Sequence, residues 1–343
     1  MISWLVLSKG GVSMDKTEKK DQVTEITEKL ETGIRDMMNS DDYKNYLKTM
    51  SKFTNYSFNN SLLIAMQCPE ASYVAGYRSW EANFERHVNK GEKAIKILAP
   101  APYKIEREQD KIGSDGKVMK NADGSTIKER VEVTIPAFKA INVFDVSQTS
   151  GKELPSIGVN QLDGTVEGYS DFMRALESFS PAPITFENIE NGAHGYFSPS
   201  ENRIVIQEGM SELQTCKTAL HEVTHSILHN KDADKEMAPD RNTKEVQAES
   251  VAYTVACHYG LDVSEYSFGY ISGWSSDKEL KELQSSMETI RQTARDMISG
   301  IDKELDAIHL ERNPQEIQKD EPDTLHIETE HIEEPHHQHH HSR

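Results

Sequence analysis

Apolar residues in the first part of the chain recur at three- and four-residue intervals, as at Ile26, Leu30, Ile34 and Met37, which predicts helical structure across residues 15–66. The period changes at Tyr73. Beyond it come aromatics and glycine turns, then the apolar run IKILAP (95–100). A polar insertion with Asp115-Gly116 and Asp123-Gly124 follows, and then the alternating stretch VEVTIPAFKAINVFDV (131–146). Alternation is the strand period, and Asp-Gly pairs are turn formers, so this region predicts a helix-plus-sheet domain with a long hairpin insertion. The segment SQTSGKELPSIGVNQLDG (147–164) reads as a linker by composition.

The second half opens on a helical period over Tyr169 to Phe179 and a hairpin, GYFSPSENRIVIQ (195–207), whose turn is marked by Pro199 and Asn202. Three further helices are predicted: 211–229, 243–259 ended by Gly260, and a long one from about Lys278 to Ile308 broken only by Gly300. The expected fold class is α+β. A helix-plus-sheet domain (14–150) precedes a linker (151–164) and a mostly helical domain with a small sheet (165–312). The acidic, histidine-rich remainder (313–343), ending HHQHHHSR, is expected to be disordered. Residues 1–13 are expected to be an untranslated leader or disordered, because Lys9-Gly10-Gly11 can be encoded by a ribosome-binding sequence a few codons before Met14.

Composition narrows the setting. No apolar run approaches the ~20 residues of a membrane span, and MISWLVLSKGGVSM lacks the lysine placement and cleavage site of a signal peptide. Cys68, Cys216 and Cys257 are odd in number and far apart, which fits a reducing cytoplasm and no disulfide framework. The net charge of −19 is unevenly spread: residues 1–160 hold 23 basic against 22 acidic side chains, and residues 161–343 hold 15 against 35. A surface for nucleic acid therefore belongs to the first half.

The candidate chemistry lies in ALHEVTHSILH (219–229). Leu213, Cys216, Leu220, Val223 and Ile227 define the expected buried stripe of this helix, with His221 and His225 beside it. Four residues of helix separate two imidazoles on one face by about 6 Å along the axis, close enough to share one ion. Glu222 flanks the pair, where a carboxylate could take a proton from water. HExxH is the zincin signature, although the same pattern also fits an ordinary amphipathic helix with histidines on its polar edge. His229, about 12 Å from His221 along a straight helix, is too far to be a ligand of the same ion and reads as a helix-end residue or a minor substrate contact. The extended pattern HExxHxxGxxH is absent.

The next helix places Glu245, Glu249, Ala252 and Ala256 on one face. Carboxylates on an alanine-lined strip are costly to bury unless paired or metal-bound, and a solvated acidic edge is the alternative. Glu245 is the expected third ligand and Glu249 the expected acceptor from the free ring nitrogen of a ligand histidine. In the first half, Tyr56, Phe58, Tyr73, Tyr77, Trp80 and Phe84 are interleaved with Arg78, Arg86, Lys90, Lys93 and Lys96. Rings for bases beside cations for phosphates suit single-stranded DNA, and most of those rings suit a domain core equally. Tyr77, Arg78, Trp80, Arg86, Lys90, Lys93 and Lys96 are the candidate DNA-binding set.

With His221, Glu222, His225, Glu245 and Glu249 in this order, the second half resembles gluzincin-type metallopeptidases, and more specifically the zincin-like domain of ArdC antirestriction proteins and the related ImmA/IrrE peptidases. NYSFNNSLLIAMQCPEASYVAGYRSW with HVNKGEKAIKILAP (55–100) resembles the ArdC N-terminal domain. The resemblance implies a protein of conjugative elements that binds single-stranded DNA, protects incoming DNA from restriction, and carries a Zn2+ peptidase acting on an unknown protein or peptide. In that reading His221, His225 and Glu245 hold zinc and Glu222 is general base and then acid. His194, Tyr253, His258 and Tyr270 are candidates for stabilising the transition state, and the 195–207 hairpin could offer an edge strand to an extended peptide. Two rivals stand beside it: an ImmA-like protease that cleaves a repressor, and a non-catalytic DNA-coating protein with a structural zinc site.

Overall fold

Three helices open the chain: α1 (Lys16–Asp36), α2 (Ser40–Lys52) and α3 (Phe58–Gln67). The computed structural model describes residues 16–114, 116–154, 166–190, 192–230 and 239–312. The expected leader (1–13), the main part of the expected linker and the histidine-rich tail (313–343) lie outside the described residues. Asn39 and Ser57 cap α2 and α3 by accepting from the N–H of Asp42 and Asn60, and so separate what periodicity alone shows as one helical stretch. Ile26, Leu30, Ile34 and Met37 are all buried, as their spacing predicts.

Sheet structure begins with β1 (Val74–Gly76), followed by α4 (Tyr77–Phe84), β2 (Arg86–Val88) and β3 (Ile95–Pro100). Next come β4 (Tyr103–Asp110), β5 (Lys128–Ile135), β6 (Phe138–Asp145) and β7 (Thr149–Gly151). The alternating stretch 131–146 is two strands parted at Pro136. Among the described residues β5 pairs only with β4, whereas β6 is the centre of an antiparallel sheet ordered β1-β6-β3. Along β3, the backbone of Lys96 and Leu98 is bonded by the amide side chains of Gln67 and Asn60 on α3, so its outer edge is covered. Buried Asp145 accepts from the N–H groups of Ser72, Tyr73 and Ser147 and fastens the end of β6 to the chain entering β1.

The first residues of the compositional linker are part of this fold. Thr149–Gly151 pairs with Arg86–Val88, and a side chain at Gly151 would meet the Glu85 carbonyl at 2.5 Å. Glycine is there for close approach.

The second half holds α5 (Val166–Phe179), β8 (Ile184–Glu187), β9 (Gly195–Ser198), β10 (Arg203–Gln207), α6 (Glu212–Leu228), α7 (Arg241–His258), α8 (Ile271–Ser275) and α9 (Leu280–Arg312). β10 is central, parallel to β8 and antiparallel to β9, and Asn202 takes a left-handed conformation in the predicted hairpin turn. Gly300 does not break α9. It lies inside the helix where the Phe179 ring packs, 2.2 Å from where a Cβ would stand. Ile227, expected in the buried stripe of α6, is 36% exposed near the helix end. The rest of α6 is nearly enclosed, between α7 on one side and β9 and β10 on the other.

One apolar cluster joins both halves. α2 packs on α7, and α1 and α3 pack on α9. Polar contacts cross the same seam: Tyr43 Oη lies 2.8 Å from Ser250 Oγ, and His258 Nδ1 lies 2.9 Å from the Ser51 carbonyl.

Candidate metal centre

Ser211 starts α6 by accepting from the Gln214 N–H, and Asp240 starts α7 by accepting from the N–H and hydroxyl of Thr243. With both helices fixed at their N-termini and packed along their lengths, His221, His225 and Glu245 converge. His221 Nε2 and His225 Nε2 are 3.0 Å apart, and Glu245 Oε2 is 3.6 Å from the first and 3.7 Å from the second. Three points so spaced lie about 2.0 Å from a common centre, which matches the ~2.0–2.2 Å bonds of zinc to imidazole and carboxylate. The donor set therefore fits a divalent metal.

Glu249 lies on the other side of the His221 ring, with Oε2 3.2 Å from His221 Nδ1. Burial opposes a charge on His221, but the carboxylates of Glu245 and Glu249 outweigh it and raise the imidazole to about 10 in the absence of metal. The same hydrogen bonds from His221 and His225 hold Glu245 well below the usual carboxylate range. A cation is what this cluster favours, whether proton or metal.

Glu222 is buried beside the cluster. Burial raises its carboxyl, opposed by the two histidines and by a hydrogen bond from the Phe197 N–H. Gln207 N–H donates to the His194 carbonyl at 2.8 Å, so alternation along the β9–β10 ladder turns the backbone groups of Gly195 and Phe197 outward, toward the edge nearest Glu222. Gly195 lets the strand approach α6, because a Cβ there would lie 2.7 Å from the Thr218 methyl.

The four candidates for transition-state stabilisation separate. His194 bonds Gln214 in the first turn of α6, His258 bonds Ser51, and Tyr253 is buried against Tyr266 and Phe268. Tyr270 is the one beside the site: it is partly exposed, and after burial the nearby charges of Glu249 and Glu245 help raise its phenol. His229, read from the sequence as a helix-end residue, is bonded to His225, with the two Nδ1 atoms 2.8 Å apart.

The DNA-binding set does not stay together. Trp80 is fully buried: its Nε1–H donates to the Phe144 carbonyl at 2.9 Å, and Tyr73 and Phe84 pack on its ring, so it offers no face to a base. Arg86 spends its guanidinium on Thr149 and the Lys152 carbonyl, bracing β2 against β7. Tyr77, Arg78, Lys90, Lys93 and Lys96 are exposed. Tyr77 packs edge-on against Phe144, and Gly76 and Ile95, the neighbours of Tyr77 and Lys96 in the chain, both register with Val143 from opposite sides of β6. Phe138 and Tyr103 are also exposed rings that the sequence reading did not select.

Residues 16–144 match the N-terminal domain of the anti-restriction factor ArdC, and residues 183–259 match the IrrE N-terminal-like domain of the M78 peptidase family. An uncharacterized protein of Bacillus anthracis is 30% identical over 323 residues, covering 87% of this chain and 54% of its own length. The DNA primase TraC of Escherichia coli is 27% identical over 218 residues, covering 60% of this chain and 14% of its own. The chain thus spans about half of one curated relative and about a seventh of the other. Metal-free and Mn(II)-bound crystal structures of the antirestriction ArdC protein from the R388 plasmid align at TM-scores of 0.46 and 0.44, with 20% and 18% identity. They cover 73% and 74% of this chain and 85% and 87% of theirs. The chain is ArdC-like, an ArdC-type N-terminal domain followed by a domain of the M78 peptidase type. Among the described residues no helix is long and apolar enough to cross a membrane.

Proposed function

We infer that this ArdC-like chain binds single-stranded DNA through its N-terminal domain and hydrolyses peptide bonds at a zinc centre held by His221, His225 and Glu245. The observation that carries the peptidase half is the position of Glu222. A buried carboxylate, raised by that burial, stands between a three-donor cluster and the edge strand of a sheet.

When bound, zinc supplies Lewis acidity, polarising a carbonyl and acidifying water. The side chains do the rest. Glu222 accepts the proton of the attacking water and returns it to the leaving amine, a role that a raised carboxyl serves well near neutral pH. β9 receives an extended peptide along its outer edge through the backbone groups of Gly195 and the carbonyl of Phe197, whose N–H is held by Glu222. The Tyr270 phenol, kept protonated by burial and the neighbouring carboxylates, donates to the oxyanion.

For DNA, the exposed Tyr77 ring stacks on a base while Arg78, Lys90, Lys93 and Lys96 meet phosphates. The ArdC-type domain supports protection of incoming DNA from restriction as the cellular role. Two experiments test the pair of activities. Proteomics of cells expressing wild type or Glu222→Gln during DNA transfer should show a protein whose cleavage depends on Glu222. Transfer into a restricting host should fall when the protein is absent. Zinc binding with no Glu222-dependent cleavage would leave a DNA-coating protein with a structural metal.

A further inference from the structure

We propose that His229 is a positioning residue for the metal ligand His225, through a part-buried hydrogen-bond chain that ends on α9. The inference rests on the reading that His221, His225 and Glu245 bind a metal. It concerns a different residue and a different interaction.

The chain is continuous. His225 Nδ1 lies 2.8 Å from His229 Nδ1, His229 Nε2 lies 3.1 Å from Gln247 Oε1, and Gln247 Nε2 donates to Ser286 Oγ at 3.2 Å. It links three helices: α6 holds both histidines or their cap, α7 holds Gln247 and α9 holds Ser286. Gln247 and Ser286 are buried, where an unpaired amide or hydroxyl is costly, so the contacts are held in register.

Donor and acceptor counting gives the chain a direction. A neutral imidazole has one N–H and one lone pair. For His225 to offer its Nε2 lone pair to a metal, its proton must sit on Nδ1 and donate to His229 Nδ1. His229 then carries its proton on Nε2 and donates to the Gln247 carbonyl oxygen, and the Gln247 amide donates to Ser286. Each contact in the chain then joins one donor to one acceptor. The reverse polarity would put the proton on His225 Nε2, the atom that faces His221 and Glu245. Metal binding and the chain select the same tautomer.

The two ligand histidines are therefore backed differently. His221 is held by the carboxylate of Glu249, a charged acceptor, and His225 by a neutral imidazole. Because His229 meets the Nδ1 side of the His225 ring, it stands behind the ligand and not beside the ion. The helix end itself needs only its backbone: the His229 N–H caps α6 on the His225 carbonyl, a bond that a substitution of the ring leaves in place.

The test uses the full chain and four proteins: wild type, His221→Ala, His229→Ala and His229→Asn. Asn places an acceptor oxygen near the position of Nδ1. Cobalt(II) absorption reports the geometry of the site, and zinc competition against a chelator reports affinity. Metal held by the tail histidines is common to all four, so the His221→Ala signal is the baseline to subtract. His229→Ala should weaken site-specific zinc binding about 10- to 100-fold and change the cobalt spectrum, with far-UV circular dichroism retained, and His229→Asn should recover most of the loss. Wild-type affinity and spectrum in His229→Ala, or equal loss in the Ala and Asn variants, would overturn the positioning role while leaving the metal site standing. A wild-type metal signal in His221→Ala would instead remove the metal site, and the role of His229 with it.

Discussion

His221 Nδ1 and Glu249 Oε2 lie 3.2 Å apart, on the side of the ring away from the Nε2 atom that faces His225 and Glu245. Glu245 and Glu249 are one turn apart on α7 yet meet opposite edges of the same imidazole, so their substitutions should differ in kind. Glu245→Ala leaves two imidazoles and should abolish tight zinc binding, whereas Glu249→Ala should weaken it about 10- to 100-fold. Chelator competition on the full chain, with His221→Ala as baseline, measures both. An empty site in Glu249→Ala beside a filled one in Glu245→Ala would reverse the assignment.

Glu222→Gln should keep the metal and lose hydrolysis. The three donors are untouched, and the amide can still accept from the Phe197 N–H, but it cannot take a proton from water. Peptide cleavage and bound zinc are measured on the same preparation. Cleavage at the wild-type rate would exclude Glu222 as the base.

Four-residue spacing made the clustering of His221 and His225 legible, because residues i and i+4 on a helix share a face whatever surrounds them. The role of His229 follows from the same spacing, but distance to a common ion hides it, since His229 touches the ring of His225 instead. Trp80 and Arg86 were not legible. Their partners, Phe144, Thr149 and Lys152, arrive from more than sixty residues away, when β6 pairs with β1 and β7 pairs with β2. Gly300 misleads for a related reason: a glycine in a helical period looks like an end until the Phe179 ring is seen against it.

Asp240 ties stability to pH at the start of the helix that carries Glu245. Its carboxylate accepts from the Thr243 hydroxyl at 2.7 Å and the Thr243 N–H at 2.9 Å, with Lys278 at 3.4 Å, and these contacts lower it to about 2. A depressed carboxyl contributes stability above its unfolded value of ~3.9, and the contribution is lost as pH falls toward 2. Asp240→Ala should therefore cost about 1 kcal/mol at pH 7, with the gap from wild type shrinking between about pH 4 and 2. Asp240→Asn, which keeps an acceptor at the cap, should retain much of the stability and lose that pH dependence. Urea unfolding across pH decides it, and a gap as large at pH 2.5 as at pH 7 would be the contrary result.

Tyr77 and Trp80 sit three residues apart on α4 with opposite surroundings: Tyr77 is 57% exposed, and Trp80 is fully buried. Tyr77→Ala should weaken single-stranded DNA binding by about 1–3 kcal/mol at every salt concentration with unfolding unchanged, because a stacked ring contributes independently of counterions. Trp80→Ala should instead destabilise the fold by about 3–5 kcal/mol, so any loss of DNA binding would track unfolding. Replacing Lys90, Lys93 and Lys96 with Ala should flatten the dependence of affinity on salt by about 2 in log-log slope, at ~0.7 per phosphate contact. These measurements belong on the full chain. α1, α2 and α3 bury their apolar faces partly against α7 and α9, and a fragment ending near residue 150 would expose those faces to water. An unchanged salt slope in the triple variant, or equal affinity for duplex and single strand, would defeat the DNA-binding reading and leave the metal centre as the function to pursue.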